Sequence, residues 1–303
     1  MIDKYGREHI AAEAQRILEE QAMDIIFSWL EKEHTQNLCC AGGVFLNVKL
    51  NQRTWNSGKV KNHHIFPNSG DGGLAVGAAL YVYYKLSKQR KIDRITNVYW
   101  GPKFSNEEIE SILKSRNLKY EHCENISERC AKLLAKGKII GWFQGRMESG
   151  PRALGNRSIL MSPEKAENKD IINARVKFRE TFRPFCPSII EEAREEYLKD
   201  SRDEPFMITS FDAREQKKGK IPAVVHVDGT VRPQTVKRGV NSKYWDLIKK
   251  FGDITGVPVI LNTSFNIRGE PIICSPRDAI KCFYDTGMDY LAIGGFLIQK
   301  EYK

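Results

Sequence analysis

The sequence predicts an α/β protein. Three observations carry that expectation: helical and strand-like segments alternate along the chain, Gly-rich turns join strands to helices, and no internal repeat or low-complexity tract interrupts the pattern. With 303 residues, 41% of them hydrophobic and 28% charged, the chain is long enough for a large core and for two domains.

Ala14, Ile17, Leu18, Ala22, Ile25, Ile26 and Trp29 recur at helical spacing and predict one amphipathic helix over 11–33. The apolar run 37–41 predicts a short buried strand. It meets Gly42-Gly43-Val44, from which a helix is expected to run to about Trp55 and stop near Gly58. Strand, Gly-Gly, helix is an arrangement in which a ligand can reach main-chain N–H groups at a helix start. The turn 69–73, Ser-Gly-Asp-Gly-Gly, leads into a helix over 74–88. Asp71 has two readings there, an N-cap carboxylate or a metal- or phosphate-linked ligand beside the Gly42-Gly43 turn. His63 and His64 are adjacent in an extended segment, so they point to opposite faces and are expected at the surface.

Residues 88–97 are charged and unpatterned and read as a linker, which sets the expected domains at 1–95 and 96–303. Ser105 and Glu108 form a capping box for a helix to about Arg116. Asn125 caps a second helix through Ala135, and Gly137 stops it. A strand over 139–143 follows. A helix is expected over 165–176, a strand over 185–190, a long polar loop over 199–222, and a hairpin of 224–227 with 230–233 around Asp228-Gly229. The last elements are a helix over 243–255, a strand over 257–261, a helix capped by Ser275-Pro276 and closed by Gly287, and strands over 290–293 and 296–299.

One stretch stands apart. Residues 142–188 carry Arg146, Arg152, Arg157, Arg175, Arg179 and Arg183, with Lys177, among Gly, Pro and Ser. Guanidinium groups fork onto carboxylate and phosphate oxygens and keep their charge near pH 7. Glycines let main-chain N–H groups come close to an anion. The stretch therefore reads as a site for a small phosphorylated molecule; a salt-bridged loop surface is the plainer alternative. The net charge of +10 suits an anionic partner, and the clustering favours a metabolite over a nucleic acid. No apolar run approaches the roughly 18 residues of a membrane helix, and the N-terminus has no apolar signal region, so a cytoplasmic protein is expected. Seven cysteines with no CxxC spacing read as reduced core residues.

These motifs resemble those of a known family over almost the whole chain. GGVFLN at 42–47 and SGDGGLAVGAA at 69–79 resemble the C-terminal part of a Kae1-like domain, an actin-like ATPase fold. Lys177-Phe178-Arg179 with Arg183-Pro184-Phe185, then Thr263-Ser264-Phe265-Asn266 with Gly269-Glu270-Pro271, resemble a YrdC-like domain. Together with GPRALGNRS at 150–158, they resemble O-carbamoyltransferases of the NodU/CmcH type, which decorate nodulation factors and antibiotics such as tobramycin and cephamycins. The resemblance implies a partial actin-like lobe followed by a YrdC-like α/β domain with a twisted mixed sheet. It also implies a transferase that turns carbamoyl phosphate and ATP into carbamoyl adenylate and passes the carbamoyl group to a hydroxyl of a small-molecule acceptor.

Site roles follow from the resemblance. Arg152, Lys177, Arg179 and Asn266 would act on the reacting groups. Arg146, Arg157, Ser158, Arg183, Thr263 and Ser264 would bind carbamoyl phosphate or ATP. Gly42, Gly43 and Asn47 would border a nucleotide, and Asp71 matches the family's aspartate metal ligand. The family's HxxxH pair, which completes its iron site, does not occur. A divalent metal is therefore expected only if the missing first lobe is supplied, for which a separate N-terminal Kae1-like chain is one source. Two other functions are compatible with the sequence: a threonylcarbamoyl-adenylate synthase acting in tRNA modification, which would need neither the Kae1-like part nor GPRALGNRS, and a non-catalytic RNA-binding module. Against the last, the aromatics are not interleaved with the basic residues.

Overall fold

A computed structural model describes residues 2–87 and 94–300. They fall into two compact units, the first holding 2–87 with Ile208–Ser210 and the second the remainder. Residues 88–93 of the expected linker lie outside the described residues.

The first unit is built on the helix Arg7–Lys32 and two parallel strands, β1 (Asn37–Cys40) and β2 (Asn62–Ile65). Ile26, Leu30 and Val60 form its small core, with Phe27, Leu38 and Phe45 packed against them. β1 is not a buried strand: only Cys40 is buried and Leu38 half-buried, because a two-stranded sheet leaves one face open. The Gly42-Gly43 turn does not open the next helix directly. A 3-10 turn, Gly43–Leu46, comes first, and Asn47 then caps the helix Val48–Asn56 by accepting the Lys49 and Leu50 N–H groups. In β2 the two histidines do face opposite ways, but His63 is buried with its Nε2 3.9 Å from Cys40 Sγ, so only His64 is at the surface. The helix Leu74–Leu86 is almost wholly apolar, yet none of its residues is buried. Leu74, Tyr81, Val82, Tyr83 and Leu86 are each at least half exposed.

The second unit is a mixed eight-stranded sheet with helices packed on it. Its strands are β3 (Glu121–His122), β4 (Ile140–Phe143), β5 (Arg157–Met161), β6 (Cys186–Ile190), β9 (Gln234–Val236), β10 (Val259–Ser264), β11 (Tyr290–Ile293) and β12 (Phe296–Gln299). They are ordered β3-β12-β11-β4-β5-β10-β6-β9. The β11–β4 and β6–β9 pairs are parallel and the rest antiparallel. Every residue of β4, β5 and β6 is buried, as expected of central strands covered on both faces. At Gly141 in β4 a methyl group would meet the Phe265 ring at 2.6 Å, so a side chain there has no room. The helices Ile126–Ala135 and Ser242–Thr255 pack on one another, capped by Asn125 and Asn241. Ser105 and Glu108 close the expected capping box on Asn106–Ser115, and Ser275 closes a second with Asp278 on Pro276–Tyr284. That last helix ends at Tyr284, before Gly287, whose N–H instead bonds the Arg175 carbonyl.

The expected hairpin of 224–227 with 230–233 does not form. A tight turn does sit there, with the Gly229 N–H on the His226 carbonyl. However, β8 (Thr230–Val231) pairs with β7 (Phe211–Asp212) from the segment expected to be loop, because 222–224 is held in a 3-10 turn.

Candidate functional site

The ends of β10, β6 and β5 position the groups of interest in the second unit. The helix Glu167–Ile172 continues into a π turn, Asn173–Lys177, which widens the coil just where Lys177 must turn inward. Phe178 follows in the left-handed region, with φ 47°, and redirects the chain.

Lys177 is buried, and its Nζ is ringed by oxygens from the end of β10. It donates to Ser264 Oγ at 3.2 Å, Asn266 O at 2.9 Å, Asn266 Oδ1 at 2.7 Å and the Ser264 carbonyl. Ser264 Oγ in turn donates to Asn266 Oδ1 at 2.7 Å, and Asn266 Nδ2 to the Glu270 carbonyl at 2.7 Å. The two motifs, 87 residues apart in sequence, are thus one cluster. Burial, with Arg179 nearby, pushes the Lys177 ammonium down to about 7.

Further cations gather around it. Arg179 donates Nε to Asn173 Oδ1 at 2.7 Å and lies over the Phe185 ring at 4.8 Å. Burial and then Arg183 hold its pKa below the ordinary value, with Glu180 partly offsetting them. Arg152 is half-buried, and its pKa is pushed down to about 10 by burial and by Arg232. Arg232 donates Nε to Cys186 Sγ at 3.0 Å and repels both Arg152 and Arg179. Sequence reading missed Arg232 because it lay in an expected hairpin; an arginine between apolar residues ahead of a proline was the available signal. Arg183 is exposed and pairs with Glu180 at 3.2 Å.

Two arginines expected to bind ligand, Arg157 and Arg146, donate to main-chain carbonyls. Arg157 is fully buried. Its guanidinium donates to the carbonyls of Gln144 (2.7 Å), Asn156 (3.0 Å), Pro102 and Gly145, and stacks 3.6 Å from the Phe143 ring centre. With both terminal nitrogens turned onto the main chain, it braces the loop ahead of β5. Arg146 donates to the Tyr99 and Trp100 carbonyls at 3.1 and 2.8 Å. Ser158 is buried in β5 and accepts the Gly155 N–H at 3.1 Å, so it too holds the loop. Thr263 lies half-buried beside Ser264 at the end of β10.

The loop itself depends on Gly155. Its φ is +96°, and an added Cβ would lie 2.2 Å from the Tyr244 ring.

In the first unit, Gly42 (φ +111°) and Gly43 are exposed with open space over both. The Gly42 N–H bonds the Ser69 carbonyl at 2.7 Å, which puts this turn beside the one carrying Asp71. Asn47, expected beside a nucleotide, is committed to its cap and to Gln15 at 2.9–3.1 Å. Asp71 caps no helix and is exposed. Among the described residues no group of three or more His, Cys, Asp or Glu could hold a metal ion, so Asp71 does not make a metal site by itself. No disulfide forms among the described cysteines, of which Cys39 and Cys274 are exposed and the others buried. No helix among the described residues is long and apolar enough to cross a membrane.

A family model described as the carbamoyltransferase C-terminus matches residues 131–300, and one described as the carbamoyltransferase N-terminus matches residues 2–80. Nodulation protein NolNO of Sinorhizobium fredii is 43% identical over 297 residues, covering 96% of this chain and 44% of that protein. Nodulation protein NolO of Bradyrhizobium diazoefficiens is also 43% identical, covering 96% of this chain and 54% of its own length. The chain spans about half the length of the curated relatives it matches. Among solved structures, full-length HypF in its phosphate- and nucleotide-bound form gives a TM-score of 0.40 at 17% identity, over 58% of this chain and 22% of that one.

Proposed function

The chain belongs to the carbamoyltransferase family, and from that premise we propose that its second unit activates carbamoyl phosphate with ATP. Water takes the phosphoryl group of carbamoyl phosphate and leaves carbamate. A carbamate oxygen then attacks the α-phosphorus of ATP, and the bond to pyrophosphate breaks. The product is carbamoyl adenylate, whose carbamoyl group would pass to a hydroxyl of a small-molecule acceptor.

One observation carries this reading. Arg152, Lys177 and Arg179 all have a lowered proton affinity, from burial first and then from a neighbouring cation: Arg232 beside Arg152, Arg179 beside Lys177, and Arg183 and Arg232 beside Arg179. A fold pays for such repulsion only where an anion relieves it. Preorganised cations then meet phosphate charge as it develops, with no reorganisation at the moment of reaction. Lys177, held by Ser264 and Asn266, is the donor with the best-fixed position, and Arg152, Arg179 and Arg183 would complete the cradle. Ser264, Thr263 and Asn266 would orient the carbamoyl amide.

Transfer to the acceptor belongs, on this reading, to a complete Kae1-like domain. Asp71 and the Gly42-Gly43 turn would contribute to its metal and nucleotide site when the rest of that domain is present. The uncovered apolar helix Leu74–Leu86 supports a surface that packs against the rest of that domain. The test is release of pyrophosphate from ATP. Release on adding carbamoyl phosphate supports the proposal. Release only with bicarbonate and threonine would replace it with threonylcarbamoyl-adenylate synthesis.

A further inference from the structure

Glu148 is the only carboxylate between residues 142 and 158, and the loop carrying Arg152 is wrapped around it. Its side chain is 2% exposed. One oxygen, Oε1, accepts three main-chain N–H groups: Leu154 at 2.6 Å, Arg157 at 3.2 Å and Asn156 at 3.3 Å. These three amides flank Gly155, whose left-handed backbone lets the chain close around a single acceptor. Arg152 stands two residues before the first of them. The other oxygen, Oε2, is buried with no hydrogen-bond partner among the described residues. A buried carboxylate with an idle oxygen is expensive, and few are kept without a purpose.

We propose that Glu148 is a positioning residue for the anion site, acting through Arg152. Three amides converging on one charged oxygen form charge-assisted bonds that fix the 149–156 loop more firmly than neutral ones would. Fixing that loop fixes where the Arg152 guanidinium stands relative to Lys177 and Arg232. Glu148 itself touches no ligand: its carboxylate would repel an anion, and its one engaged oxygen, Oε1, is taken by the main chain. Burial raises its pKa, opposed by main-chain N–H groups of Glu148 itself, Leu154 and Arg157 and then by the Arg157 charge. This inference rests on the anion-site reading above.

The experiment is a double-mutant cycle on inorganic phosphate binding, measured by calorimetry with the whole chain. Glu148→Gln keeps an oxygen for the three amides and removes the charge. It is expected to weaken phosphate binding about tenfold, the loss of roughly one charge-assisted contact. In an Arg152→Ala background it should add almost nothing, because the residue it positions is gone. If Glu148→Gln does not fold, the same cycle is run with Glu148→Asp, which keeps the charge but falls short of Leu154 N and should likewise lose its effect without Arg152. Additive losses, or a folded Glu148→Gln that binds phosphate like the wild type, overturn the proposal while leaving the anion site standing. A wild-type protein that binds no phosphate overturns the anion site and this inference together.

Discussion

Replacing Lys177 by Met separates what this lysine does for the fold from what it does for ligand. A lowering of its pKa from 10.5 to about 7 corresponds to about 5 kcal/mol against the charged form in the folded chain. Methionine removes that penalty. It also removes the ammonium's hydrogen bonds, in which three N–H groups serve four oxygens, worth about 1–2 kcal/mol per N–H. The two contributions nearly cancel, so Lys177→Met should lie within about 2 kcal/mol of the wild type at pH 7. The pH dependence gives the sharper signature. The folded lysine gives up its proton near 7 while the unfolded one keeps it to about 10.5, so the unfolded chain binds more protons in that window. Wild-type stability from this group therefore rises with pH, by about 2 kcal/mol between pH 7 and 9, and the variant lacks the rise. Urea unfolding of both proteins at pH 7, 8 and 9 reads the difference. Parallel profiles would show that Lys177 is not held in a desolvated, cation-crowded site.

Three further outcomes follow from the same geometry. Anion binding should pull the Lys177 pKa back up, so phosphate binding at pH 8 should be accompanied by proton uptake, seen as a dependence of binding heat on buffer ionisation enthalpy and absent in Lys177→Met. Arg152→Ala should weaken carbamoyl phosphate binding by about 1.5–3 kcal/mol while the thermal midpoint moves little; unchanged affinity in calorimetry removes Arg152 from the site. Gly155→Ala, which needs φ +96° and collides with Tyr244, should lower the thermal midpoint by many degrees, whereas Gly219→Ala, in open space, should not.

Much of this was legible in the sequence where local rules decide. Ser105 with Glu108, Asn125, and the strands at 290–293 and 296–299 stand as read, because caps and alternation act within a few residues. The joining of Lys177 to Ser264 and Asn266 was foreseen only by resemblance; nothing local brings residues so distant in sequence together. Failures came where tertiary pairing overrode a turn signal. Asp228-Gly229 made its turn, but β8 found its partner in β7, across a stretch read as loop. Side-chain direction was the other illegible quantity. Among the arginines of one Gly/Pro-rich stretch, Arg157 turned inward onto carbonyls and Phe143 while Arg152 stayed half-open, and only packing distinguishes them. Glu148 drew no reading from the sequence, because a carboxylate that collects main-chain amides leaves no sequence spacing of its own.

The most direct test is the exchange of labelled pyrophosphate into ATP by this chain alone. Exchange that requires carbamoyl phosphate, and that is lost in a folded Lys177→Met protein, is the predicted result. No exchange with carbamoyl phosphate, or exchange that survives the loss of Lys177, would contradict the claim that the cation cluster at the end of β10 activates the carbamoyl group.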